Sequence, residues 1–156
     1  MRSLPKVTQP EVWYGREPSA EFPELGTGGV APMAGPAFRY QPGSSSLVQW
    51  PRYFQGVPIF YEWARNSLFE MRLNGSGGLG EVRPLLPSLV VANPIDMEFG
   101  PDGALYVLEY GPGYFSENLE AKLSRIDYVQ GNFTPVPLVA ATPLFGQAPL
   151  TVQLSS

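Results

Sequence analysis

Apolar and polar positions along this chain fall into short runs separated by turn residues, and the clearest runs lie between Asn93 and Gly111. Ile95, Met97 and Phe99 alternate with Asp96 and Glu98, the period-2 pattern of a half-buried strand. Gly100-Pro101-Asp102-Gly103 supplies turn chemistry: proline presets one dihedral, aspartate bonds locally and glycine permits positive φ. Ala104–Leu108 is a nearly unbroken apolar run, which predicts a strand covered on both faces.

Upstream, Ala37–Tyr40, Pro58–Trp63, Ser67–Leu73 and Glu81–Leu86 predict four more strands, the third and fourth joined by the turn Asn74–Gly78. The pattern then restarts with Ile95–Phe99, Ala104–Tyr110 and Lys122–Val129, although alternation in the last is imperfect. A unit of about fifty residues in four antiparallel strands has the period of a β-propeller blade. The same strand spacing also permits a β-sandwich. Either way the expected class is all-β. Residues before 35 carry repeated prolines and no periodicity, so they predict extended loop, with Val12-Trp13-Tyr14 as a short strand or a packing anchor.

Composition narrows the picture. A hydrophobic share of 44% with 15% charged residues is that of a globular chain, and 18 prolines with 17 glycines favour short strands over long helices. The net charge of −4 argues against a nucleic-acid partner. The chain has no cysteine and no histidine, which removes thiolate chemistry and the commonest general base and metal ligand. The residues after Met1 lack the apolar core of a signal peptide, and no apolar run is long enough to span a bilayer. Glu21 and Glu24 are two carboxylates three apart. Calcium needs six or more oxygens, so a solvated surface loop is the favoured reading there. The glycines near residue 28 lack the strand-to-helix context of a phosphate cradle.

Several stretches taken together resemble one family. Gly26–Tyr40 (GTGGVAPMAGPAFRY), Ile59–Gly77 (IFYEWARNSLFEMRLNGSG), Pro94–Tyr114 (PIDMEFGPDGALYVLEYGPGY) and Leu123–Val129 (LSRIDYV) are similar to the C-terminal blades of bacterial glucose/sorbosone dehydrogenases. Those enzymes resemble soluble quinoprotein sugar dehydrogenases, six-bladed propellers that use pyrroloquinoline quinone and calcium to oxidise a sugar at its anomeric carbon. The resemblance implies a leading loop over residues 1–34, propeller blades over 35–130, and other blades of an exported parent protein, extracellular or periplasmic, as partners. Residues 131–156 are expected to hold a linker and the start of another domain, since Ala141–Pro143 and Gly146–Ser156 resemble the first strand of a PKD-type immunoglobulin-like domain.

In a blade's meander alternate loops emerge at one end, where the resembled enzymes hold cofactor and substrate. Three segments are expected to meet there: Glu62–Asn66, Ala92–Pro94 and Tyr110–Asn118. The resemblance implies Arg65, Asn66, Asn93 and Asp96 for the cofactor, with Arg65 facing the quinone, and Glu62, Trp63, Tyr110 and Tyr114 for the sugar. All but Asn93 have a plainer reading. Arg65 pairs with Glu62 at the surface, Asn66 caps a turn, Asp96 is satisfied by neighbouring amides, and the aromatics pack. The resembled enzymes take their base histidine and their calcium ligands from earlier blades, and they carry arginines just before the innermost strands of their last blades. This chain has no histidine, and Val91–Ile95 contains no arginine. The isolated chain is therefore expected to be non-catalytic. The alternative reading is a propeller module that binds carbohydrate or a protein partner without catalysis.

Overall fold

A computed structural model describes residues 6–113, 117–129 and 131, and the backbones of two further short strands. The fold is all-β. The first sheet is a four-stranded antiparallel meander of β1 (Pro32–Ala37), β2 (Pro58–Glu62), β3 (Ser67–Leu73) and β4 (Leu79–Leu85), in that spatial order. The second is a three-stranded meander of β5 (Pro94–Phe99), β6 (Leu105–Glu109) and β7 (Lys122–Ile126). Two short strands, β8 (Ala140–Thr142) and β9 (Gln153–Ser155), pair with each other where the sequence led us to expect one.

The two large sheets enclose the main core of Phe38, Trp50, Ile59, Tyr61, Leu68, Leu85, Val91, Met97, Leu105 and Val107. Each such side chain contributes roughly 1.5–3 kcal/mol by leaving water. The sheets approach each other through their first strands, β1 and β5. Gly35 permits this approach: a Cβ there would lie 2.9 Å from both the Ile59 carbonyl oxygen and Met97 Sδ. Trp50, in the long β1–β2 connection, ties that connection to the second sheet. Its backbone N–H donates to Gly103 O (3.1 Å), its indole Nε1 donates to Ile126 O (3.1 Å), and its ring packs edge-on against Phe99.

The outer face of the first sheet is covered by the N-terminal segment. Phe22 and Leu25 pack with Phe69 and Val82, and Val12 and Tyr14 lie against the same cluster. Val12–Tyr14 therefore acts as a packing anchor and forms no strand.

The sequence pattern misplaced several boundaries, each for a local reason. The first strand runs over Pro32–Ala37 and not Ala37–Tyr40. Pro32 opens it and Pro36 falls at a register shift between Ala34 and Ala37, so neither proline breaks the ladder. A bulge between Pro94 and Asp96 turns Ile95 outward to 36% exposure, while Pro94 and Met97 are buried. Leu105 and Val107 are fully buried, but Leu108 is 41% exposed, so the Ala104–Leu108 run is covered on one face only among the described residues. The last strand of that sheet ends at Ile126, and Leu123 points outward.

Candidate functional site

The two sheets repeat one device. Both first strands begin with proline, and each proline lies opposite a glutamate at the end of the second strand: Pro32 opposite Glu62, and Pro94 opposite Glu109. Both glutamates are 1% exposed. Glu62 Oε1 accepts the backbone N–H of Ala31 at 2.7 Å, just before Pro32. Glu109 Oε2 accepts the N–H of Ala92 at 2.7 Å, two residues before Pro94. Each carboxylate thus latches the chain entering the first strand onto the end of the second. Charge-assisted hydrogen bonds of this kind stabilise a buried carboxylate that would otherwise be costly.

The remaining partners are equally specific. Glu62 also accepts from Ala64 N (3.1 Å) and from the Tyr14 hydroxyl. Glu109 accepts from the Ser124 hydroxyl and lies 3.7 Å from Lys122 Nζ. Burial, then the hydrogen bond and charge of Glu62, push the Tyr14 hydroxyl well above its usual range, against the opposing charge of Arg65. The doubling is written in the sequence as Val30-Ala31-Pro32 against Val91-Ala92-Asn93-Pro94, and Phe60-Tyr61-Glu62-Trp63 against Val107-Leu108-Glu109-Tyr110. An isolated glutamate at a strand end gives no sign in the sequence that it is buried, as Glu109 is.

The second unit has one extra residue before its proline, Asn93, and this residue joins the sheets. It adopts a left-handed conformation (φ 51°), as does Asn66 (φ 54°). The Asn93 backbone N–H donates to Asn66 Oδ1 (2.8 Å), and Asn93 Nδ2 donates to Trp63 O (3.0 Å). Tyr110 N donates in turn to Asn93 O (3.0 Å), and Gly111 N to Ala92 O (3.0 Å). Glu62–Asn66, Ala92–Pro94 and the start of Tyr110–Asn118 therefore meet, while residues 114–116 lie outside the described residues. The Gly100–Gly103 turn lies at the far end of the β5–β6 hairpin, where Gly103 has φ 78° and donates to Gly100 O at 2.9 Å.

Asn66, Asn93, Trp63 and Tyr110 are thus placed together, with Asn66 exposed and the other three half-buried. Glu62 sits beneath them as a buried latch, with no open face toward a sugar. Asp96 is exposed on β5 and accepts from its neighbour Met97 N (2.8 Å). Burial, and secondarily the Asp96 charge, raise the Tyr61 hydroxyl, which donates to Ile95 O at 2.8 Å. Tyr114 lies outside the described residues.

Arg65 is turned toward the N-terminal segment. Its Nε donates to Gly29 O (2.8 Å), Nη1 to Leu25 O (2.7 Å) and Gly26 O (3.2 Å), and Nη2 to Gly15 O (2.6 Å). The guanidinium also lies 4.8 Å from the centre of the Tyr14 ring. It is a clamp on residues 15–29 and makes no ion pair with Glu62 among the described residues.

These contacts bear on the cofactors that the resemblance implies. A polycarboxylate quinone needs free cationic donors, and four of the five Arg65 N–H groups are committed to backbone carbonyls. Among the described residues no group of three or more acidic side chains could hold a metal ion, Glu21 and Glu24 included. The described residues alone therefore do not fit either group. The junction presents the exposed Asn66 beside the half-buried side chains of Asn93, Trp63 and Tyr110.

No helix among the described residues is long and apolar enough to cross a membrane. Comparison of the chain with protein-family models, with curated proteins and with solved structures gives no match.

Proposed function

We propose that the two sheets are adjacent blades of a β-propeller, in a parent protein that oxidises a sugar at its anomeric carbon. The observation that carries this reading is the doubled latch. Two antiparallel meanders, with first strands side by side, each close the entry to the first strand with a buried glutamate. A second unit built on the plan of the first is what a radially repeated fold requires. The quoted motifs that resemble glucose/sorbosone dehydrogenases supply the reaction class, and the proposal extends to an exported parent bearing a PKD-type module after the blades.

In this reading the Asn66–Asn93 junction forms part of a sugar-binding end, with Trp63 and Tyr110 as flanking aromatic surface. The isolated chain is not catalytic: it offers no histidine, and Arg65 is committed to the N-terminal segment. Quinone, calcium and base belong to other blades of the parent. That same commitment of Arg65 favours a second reading, a propeller that binds carbohydrate without oxidising it.

Dye-linked oxidation of aldoses by the full-length parent, supplied with pyrroloquinoline quinone and calcium, tests the proposal. We expect dye reduction in the parent, none in the isolated chain, and a raised KM in the parent carrying Asn66→Ala. Sugar binding without dye reduction selects the second reading, and a parent that neither binds nor oxidises sugars contradicts both.

A further inference from the structure

A second surface has the makings of a ligand site and shares no residue with the junction. The N-terminal segment and β4 form the walls of a cleft of about 810 Å³, within the size range of small-ligand sites. Trp13 stands on one wall, 52% exposed. Its indole is held edge-on against Phe22, with centroids 5.3 Å apart at 89°, and Phe22 itself is 6% exposed. A half-exposed ring backed by buried structure is suited to stacking.

The polar groups around it are the carboxylates of Glu11, Glu21, Glu24 and Glu81, with Gln9 and the Trp13 indole; Glu11 accepts from Leu79 N and Glu81 pairs with Arg83. Among the described residues the indole N–H of Trp13 and the side chains of Gln9, Glu21 and Glu24 have no hydrogen-bond or ion-pair partner. They supply donors and acceptors together, and among the described residues no lysine or arginine lines the cleft. Hydroxyl groups donate and accept, so they satisfy this set. The β4 edge is also poorly suited to a peptide strand. The Leu79 N–H is taken by Glu11 Oε2 at 3.1 Å, and Pro84 has no N–H to offer.

We propose that this cleft binds a pyranose unit of a neutral oligosaccharide, its apolar ring face stacked on Trp13 and its hydroxyls on Gln9, Glu21 and Glu24. The site is independent of the sugar-oxidising reading.

Titration of the ¹⁵N-labelled chain with cellotriose, followed by NMR, tests the proposal through the indole signals. The Trp13 signal is expected to shift saturably while that of buried Trp50 stays in place. Trp13→Ala is expected to weaken binding at least tenfold, and Trp13→Phe to keep it within about threefold. Since Trp13→Ala also loosens Phe22, Glu24→Gln serves as a second variant that leaves the packing intact and is expected to weaken binding severalfold. An unmoved Trp13 signal overturns the proposal. So does saturable binding of trilysine that high salt abolishes, with none of cellotriose, or cellotriose shifts confined to Asn66 and Asn93.

Discussion

At Glu62 a single buried carboxylate receives the Ala31 and Ala64 amides and the Tyr14 hydroxyl. Glu62→Ala leaves these donors without an acceptor, and a loss of about 3 kcal/mol is expected by denaturant unfolding. Glu98→Gln, at an exposed position on β5, should stay within about 0.5 kcal/mol. Tyr14 carries a pH signature of the same contact. Its folded pKa is raised above the ordinary 10.0, so the neutral hydroxyl is favoured in the fold. That stability is fully present below about pH 10 and is lost as pH rises toward the folded value. Melting temperature measured upward from pH 9 should therefore fall less steeply in Tyr14→Phe than in the parent chain. None of this was legible from Glu62 alone. The sequence marks a glutamate at a strand end beside an arginine, and that pairing suggested a surface ion pair. Arg65 instead reaches backbone carbonyls tens of residues away, partners that carry no side-chain signal.

At the scale of elements, most strands were legible because β2, β3 and β6 are apolar runs bounded by turn residues. The first strand was not, because Pro32, Gly35 and Pro36 read as breakers. Glycine is needed at position 35 because the sheets meet there, a requirement set by Ile59 and Met97. Gly35→Ala is expected to cost about 2 kcal/mol by overpacking, read as a lower denaturant midpoint at unchanged slope. The β5–β6 turn was foreseen, and its chemistry adds a test in acid. Burial alone would raise the Asp102 carboxyl. Hydrogen bonds from Ala104 N and the Tyr106 hydroxyl, with the charge of Arg125, together outweigh burial and hold it below the ordinary range. With a depressed folded pKa, its contribution is present above about pH 4 and lost as pH falls through the folded value. Asp102→Asn should lower the melting temperature at pH 7, and the gap should close toward pH 2.

At the scale of the whole molecule, the claim is that one unit occurs twice and that each copy is closed in the same way. The two sheets share one core, and Trp50 and the Asn66–Asn93 contact bind them at separate places. The restart of strands after Pro94 was visible in the hydrophobic pattern. The matched latches were not, because Asn93 shifts the second copy by one residue and hides the alignment. Native-state hydrogen exchange at the Ala31 and Ala92 amides tests the claim most directly, in the parent chain and in Glu62→Gln and Glu109→Gln. Both amides should exchange as slowly as the interiors of β2 and β6, although each lies in the loop before a first strand. Each substitution should speed its own amide at least tenfold more than the other. Loop-like exchange at either amide in the parent chain, or equal acceleration of both by either substitution, would contradict a repeated latch and the two-blade reading built on it.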